Sequence, residues 1–149
     1  MKKMLFSLLA TAAFLGSTTV SAQIRKIPAA VTEAFAAKYP DAKNVSWSDK
    51  ITAFQGDFDL DTHHYQASFG AGGEWKRTEK NITAAELPAN VSDGLAKSKY
   101  KDWTFKDWKD IRYDNGKHEY RLYGKKNDLQ KKYLFFNEDG QLVRDAITI

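Results

Sequence analysis

Two ten-residue segments decide the fold that the sequence predicts: IPAAVTEAFA at residues 27–36 and LPANVSDGLA at residues 87–96. They align at an offset of 60 residues. Further along, Trp47 aligns with Trp108 at an offset of 61, and Phe69 aligns with Phe136 at an offset of 67. Such an ordered series of matches indicates an internal duplication. We therefore expect a first repeat over residues 23–86 and a second repeat over residues 87–149.

Each repeat is predicted to open with a helix. Pro28 and Pro88 suit the first helical turn, where a missing N–H costs nothing. Val31 and Phe35 are four residues apart, so they belong to one apolar stripe of the first helix. Pro40 ends this helix because it pushes the residue before it out of the α region. Both helices are amphipathic, and we expect each of them to pack on a sheet.

Segments with alternating polarity and turn residues follow each helix. Asn115-Gly116 is the strongest hairpin signal in the chain, and Asn137-Glu138-Asp139-Gly140 suits a type I turn followed by a glycine bulge. The predicted strands cover residues 44–50, 53–61, 64–69 and 74–79, and then residues 105–114, 117–124, 131–136 and 141–147. The sequence therefore predicts an α+β fold made of two α-β-β-β-β units.

A family resemblance rests on this punctuation. Its residues are Ile27-Pro28, Leu87-Pro88, Tyr39-Pro40-Asp41-Ala42, Trp47 and the segment FFNEDG at 135–140. The pattern resembles the PepSY-like periplasmic proteins that share the fold of the β-lactamase-inhibitor protein, here called BLIP-like. The resemblance implies helices packed on one face of an antiparallel sheet whose other face is open. Inhibitor members bind a protein with such a surface. The family has no catalytic residue that could be assigned to this sequence.

The chain begins with the features of a signal peptide. Lys2 and Lys3 precede an apolar run over residues 4–16, and Val20-Ser21-Ala22 suits cleavage after Ala22. Among all 149 residues there are 23 Lys and Arg, 19 Asp and Glu and no cysteine, so the net charge is +4. Cleavage would remove two lysines, and the small remaining charge argues against nucleic acid as a partner. We expect a periplasmic or secreted protein without disulfides or membrane insertion.

The predicted hairpin defines a candidate binding surface. A two-residue turn at Asn115-Gly116 fixes the register and therefore the faces of both strands. It puts three cross-strand pairs on the open face: Trp108 with Tyr123, Asp110 with Arg121, and Arg112 with Glu119. In the first repeat, the open side is predicted to carry Asp57, Asp59 and Asp61. Exposed aromatic residues ringed by charges are typical of a protein-binding hot spot.

Two alternations leave the faces open to another interpretation. The pattern around Trp47 favours a buried Trp47 and, through the alignment, a buried Trp108. In the last hairpin, Tyr133, Phe135 and Val143 fall on one side, while Leu134, Phe136 and Leu142 fall on the other. Both sides of this hairpin are therefore apolar.

The sequence favours no catalytic, metal or cofactor site. Asp57, Asp59 and Asp61 resemble the start of a calcium loop, but Thr62 replaces the glycine of its turn and Ser68 replaces its bidentate glutamate. A solvated strand face is the favoured interpretation. The lysine pairs at residues 125–126 and 131–132 are expected to be charged hairpin ends rather than an anion site. No hydrolase motif is present.

These observations predict a non-enzymatic exported protein that binds a protein partner through the open sheet face. Inhibition or regulation of an envelope enzyme is the most specific form of this hypothesis. One alternative is a small-ligand or metal-ion sensor that uses Asp57, Asp59, Asp61 and His63. A second alternative is a structural or adhesive envelope component whose sheet edge pairs with itself.

Overall fold

The computed structural model of the protein describes residues 26–148, so the predicted signal peptide lies outside the described residues. The helices are α1 (Ala29–Lys38) and α2 (Ala89–Lys97). The strands are β1 (Lys43–Asp49), β2 (Phe54–Leu60), β3 (His63–Phe69), β4 (Trp75–Ile82), β5 (Thr104–Tyr113), β6 (His118–Lys125), β7 (Lys131–Asn137) and β8 (Leu142–Ile147). They form one eight-stranded sheet in chain order, and each strand is antiparallel to the next.

The predicted α+β class and the predicted elements are confirmed. One helix is followed by four strands, and the same order then occurs again. The strand ends agree with the prediction to within one residue, except that β4 continues to Ile82. The division into repeats at residues 86 and 87 stays a prediction. We call residues 26–86 the first half of the molecule and residues 87–148 the second half.

The helix ends follow from the prolines and a short capping sequence. Pro28 and Pro88 occupy the N-cap positions, and α1 ends at Lys38, two residues before Pro40. Between β4 and α2, a 3₁₀ turn over Ala84–Glu86 is held by a capping box in which Thr83 and Glu86 satisfy each other's backbone N–H groups. The segment Thr83-Ala84-Ala85-Glu86 has the residue pattern of a capping box, so this turn follows from the local sequence.

Both helices lie on the same face of the sheet, which we call the helix face. In the first half, Val31 and Phe35 of α1 are buried against the sheet residues Phe54, Phe58, Ala67 and Phe69. In the second half, Val91 of α2 is buried against Tyr100, Tyr120, Leu122, Leu134 and Phe136. These two clusters are the apolar core of the molecule.

A glycine in a hairpin turn lies under each helix. Gly73 has a φ of 90°, and a Cβ atom there would lie 2.6 Å from the backbone oxygen of Ala30 in α1. Gly140 has a φ of 79°, and a Cβ atom there would lie 1.9 Å from the backbone oxygen of Asn90 in α2. Only glycine combines a left-handed conformation with so close an approach.

The predicted register of the β5–β6 hairpin was wrong by one residue. The turn is a three-residue loop, because the N–H of Tyr113 bonds the carbonyl of Lys117 at 3.0 Å and Gly116 has a φ of 80°. This is the type I turn with a glycine bulge that was predicted only for residues 137–140. Consequently Ile111 pairs with Glu119, and Trp108 pairs with Leu122.

Because the side chains of a strand alternate between faces, a one-residue shift moves every residue of one strand across the sheet. Tyr120 and Leu122 of β6 face the helices. Their partners on β5 are Asp110 and Trp108, which therefore share the helix face.

Among residues 26–148, no helix is long and apolar enough to cross a membrane.

Candidate functional site

The face of the sheet opposite the helices, called the open face, carries a compact set of aromatic rings and arginines in the second half. We call it the cation–aromatic patch. It consists of Arg121, Tyr123, Tyr133, Phe135 and Arg144. Cross-strand pairing joins them, because Tyr123 pairs with Tyr133, Arg121 with Phe135, and Phe135 with Arg144.

The patch is ordered by stacking between neighbouring strands. The rings of Tyr123 and Tyr133 lie 5.4 Å apart, centroid to centroid. The guanidinium carbon of Arg121 lies 5.0 Å from the centroid of Tyr133, and that of Arg144 lies 3.6 Å from the centroid of Phe135. Cation–π contacts of this kind hold long side chains in place. The patch is therefore preorganised before any partner arrives.

A buried carboxylate anchors one end of the patch. The Glu119 side chain is only 1% exposed, and it accepts hydrogen bonds from Arg144, from the Lys117 ammonium at 2.7 Å and from the Tyr113 hydroxyl at 3.0 Å. Burial by itself would raise the pKa of the Glu119 carboxyl. The hydrogen bonds from these three groups outweigh burial and lower its pKa. Glu119 thus stays ionised and fixes Arg144 over Phe135.

A second buried carboxylate lies at the centre of the sheet. Glu79 on β4 is 5% exposed and contacts three cations: Arg77 at 3.2 Å, Lys109 at 3.2 Å and Arg121 at 3.3 Å. Lys109 also donates to the side-chain oxygen of Gln66 at 2.7 Å. The cluster spans β3 to β6. It therefore ties the open faces of the two halves together with charge-assisted hydrogen bonds.

The first half presents a different open surface, made of carboxylates and amides. Asp57 accepts from the Gln66 amide at 2.6 Å and also from the Gln55 amide. Asp59 accepts from the Asn44 amide at 2.8 Å and faces a ring nitrogen of His64 at 3.0 Å. These bonds lower the pKa of the Asp59 carboxyl, the Asn44 bond most of all.

The structure divides the predicted site residues between two faces. The open face carries five of them: Tyr123, Arg121, Glu119, Asp57 and Asp59. Asp61 occupies the β2–β3 turn with a φ of 54°. Asp57 and Asp59 lie on β2, away from the patch on β6 to β8.

The assignment of Trp108, Asp110 and Arg112 to the open face was wrong. Trp108 packs against the apolar cluster beneath α2, with its ring 5.6 Å from that of Phe105. Asp110 contacts a ring nitrogen of His118 at 2.7 Å and the Arg112 guanidinium at 3.6 Å. The alternative drawn from the Trp47 pattern is correct about the face of the sheet, since Trp47 and Trp108 both pack, partly buried, against helix-side clusters.

Sequence reasoning left Tyr133 and Phe135 unassigned and missed Arg144. The alignment of Phe69 with Phe136 contained the necessary signal. Phe69 and Phe136 are both core residues, so Phe135 had to point to the opposite face. Arg144 could not be found in this way, because an irregularity between Phe135 and Phe136 shifts the register of β8.

The residues proposed for ion sensing do not converge. His63 faces Glu86 at 2.6 Å, whereas Asp57 and Asp59 are bonded to side-chain amides on the open face. Within residues 26–148, no group of three or more His, Asp or Glu side chains is arranged to hold a metal ion.

A family model described as "Putative beta-lactamase-inhibitor-like, PepSY-like" matches residues 54–144, more than half of the chain. The chain belongs to this PepSY-like family. The match confirms the resemblance inferred from the sequence. No curated protein matches the chain.

Solved structures with the same fold come from Bacteroides species. A "putative periplasmic" protein from Bacteroides eggerthii is 22% identical, with a TM-score of 0.77 over 82% of this chain and 89% of that chain. A BLIP-like protein from Bacteroides fragilis is 24% identical, with a TM-score of 0.74 over 82% of this chain and 87% of that chain. A DUF2874 family protein from Bacteroides ovatus is 19% identical, with a TM-score of 0.78 over 82% and 88% of the two chains. These similarities confirm the BLIP-like fold.

Proposed function

We propose that this PepSY-like protein is an exported, non-enzymatic binding module that recognises a protein partner through the open face of its sheet. The observation that carries the proposal is the cation–aromatic patch. Aromatic and arginine side chains dominate protein-binding hot spots, and here stacking and two buried carboxylates hold them in place. The cost of ordering them is therefore met on folding rather than on binding.

The family and its structural neighbours support the non-catalytic part of the proposal. The family description names inhibitor-like proteins, and one neighbour is described as BLIP-like. The most specific form is inhibition or regulation of an envelope enzyme. Export to the periplasm agrees with the description of another neighbour as a "putative periplasmic" protein and with the signal-peptide features of residues 1–22.

Affinity capture from the native envelope tests the proposal. The protein carrying Tyr123→Ala and Tyr133→Ala is compared with wild type, because truncating both rings removes the centre of the patch and leaves Glu79 and Glu119 in place. We expect the double variant to fold and to capture at least about tenfold less of the partner than wild type does. A partner retained by the folded variant at wild-type level would refute the proposal.

The matched control truncates two exposed apolar side chains elsewhere. Ile51 is 87% exposed and Leu129 is 96% exposed, and both lie in connections between strands. The protein carrying Ile51→Ala and Leu129→Ala should capture the same partner as wild type. This control separates a specific role of the open face from a general loss of apolar surface.

A further inference from the structure

The charges of the open face point to the chemistry of its partner. In the second half and on the adjoining β4, the cations on this face are Arg77, Lys109, Lys117, Arg121, Lys131 and Arg144. The anions are Glu79, Asp107 and Glu119. Lys125 lies on the same face and is paired with Asp128.

The two buried carboxylates do not neutralise this surface. Glu79 contacts three cations, and Glu119 contacts two. Each carboxylate compensates one positive charge, so the other cations around it remain uncompensated. The excess charge lies over side chains that are shielded from water, because Glu79, Lys109 and Glu119 are 5%, 8% and 1% exposed. An electric field is stronger there than in bulk water.

Away from this basic region, the open face carries two carboxylates on β2, with Lys43 of β1 as the cross-strand partner of Asp59. Asp57 and Asp59 are held by neutral amides and by His64. The face therefore runs from acidic at β2 to basic at β5–β8, and complementary fields guide both the encounter and the orientation of protein partners.

A shallow depression sits at the basic end. It is lined by Asp107, Tyr123, Lys131, Tyr133 and Thr148. Lys131 and the two tyrosines of the patch line it together, so a bound segment would meet aromatic surface and positive charge in one place.

Resting on the function proposed above, we infer that the partner presents an acidic segment to this face. Its carboxylates lie against Lys131, Arg121 and Arg144, and its aromatic or aliphatic side chains lie on Tyr123 and Tyr133. The two carboxylates on β2, Asp57 and Asp59, repel the same segment and set its direction along the sheet.

Defined peptides test this inference on the full chain. Three fluorescent peptides alternate tyrosine with glutamate, glutamine or lysine, and fluorescence anisotropy measures their binding. We expect the glutamate peptide to bind about tenfold more tightly than the glutamine peptide, with an affinity that falls as salt rises from about 0.02 to 0.3 M, and the lysine peptide not to bind. Equal binding of the glutamate and glutamine peptides would overturn the inference.

Two variants with the same change of net charge locate the effect. Lys131→Glu reverses a charge in the depression, whereas Lys101→Glu reverses an exposed charge in the connection between α2 and β5. We expect Lys131→Glu to weaken glutamate-peptide binding about tenfold and Lys101→Glu to leave it unchanged. Equal weakening by both variants would mean that net charge alone attracts the peptide, and the inference would fail.

Other polyanions and the captured partner complete the test. Phosphatidylglycerol vesicles or duplex DNA that bind as tightly as the glutamate peptide would contradict an acidic protein segment. If capture of the partner is lost with Tyr123→Ala and Tyr133→Ala but is insensitive to salt and to Lys131→Glu, the acidic segment is wrong and the binding function stands. If the tyrosine variants capture normally, the function itself fails.

Discussion

The two halves of the molecule share one framework and differ in the surface they expose. In each half a helix packs on four antiparallel strands, and a glycine of positive φ lies beneath the helix, Gly73 in one and Gly140 in the other. The open face of the first half carries Asp57 and Asp59 with amides, and that of the second half carries stacked arginines and aromatic rings. The core thus specifies the fold in both halves, while the open face is free to differ.

The largest predicted effect tests whether the two cores are one folding unit. Phe69 and Phe136 are equivalent core residues and are 1% and 0% exposed. Replacing either by alanine should lower the free energy of unfolding by about 4 kcal/mol. Because the sheet and the Glu79 cluster are continuous across the halves, urea denaturation of each variant should remain a single transition. Two transitions, one of them at the wild-type midpoint, would show that the halves unfold independently.

The glycines beneath the helices come next in size. Gly140→Ala should cost about 3 kcal/mol or more, and Gly73→Ala less, because the Cβ atom at Gly73 would lie farther from the helix backbone. Gly116 has a similar φ, but a Cβ atom there meets nothing within 4 Å. Gly116→Ala is therefore the control and should cost only about 1 kcal/mol. Thermal denaturation measures the three losses of stability. If they were equal, backbone strain alone would explain them and the contact with the helices would have no effect.

Removing a carboxylate charge from the open face should lower stability more in the second half than in the first half. Glu119→Gln leaves Arg144 and Lys117 without their common carboxylate, and we expect a loss of about 2 kcal/mol. Asp57→Asn in the first half removes a half-buried charge bonded to amides and should cost less than about 1 kcal/mol. Urea denaturation measures both values. A larger loss for Asp57→Asn would reverse the comparison.

The smallest effect concerns the junction between the halves and depends on pH. The Thr83 backbone N–H, the His63 side chain and the Thr83 hydroxyl lower the pKa of the Glu86 carboxyl from 4.5 to about 2. Because folding lowers this pKa, the stabilisation is present above pH 4.5 and is lost as the pH falls towards about 2. The difference in melting temperature between wild type and Glu86→Gln should therefore shrink over this range. A constant difference would exclude the carboxylate as its cause.

The fold was predictable because its signals are local. The prolines set the helix starts, the capping box at Thr83 set the connection, and alternation set the strand ends. The loop at Asn115-Gly116 was not resolved by sequence, because Asn-Gly suits both a two-residue turn and the last two positions of a three-residue loop. That choice moved Trp108 to the wrong face.

The candidate site was harder to predict because its contacts join distant residues. Glu79 and Lys109 are thirty positions apart and meet only when β4 pairs with β5. Composition predicted aromatic anchors with surrounding charges, and that description fits the second half. Which aromatic residues lie on the open face depends on register, so the sequence placed Tyr123 on that face and left Tyr133 unassigned.

Photo-crosslinking in the native envelope tests the central claim most directly. A photoreactive phenylalanine derivative is placed at Tyr133 on the open face and, in a second protein, at Ala96, which is exposed on α2. The account predicts a discrete crosslinked protein from position 133 and none from position 96. A crosslink to the same protein from position 96, with none from position 133, would contradict it.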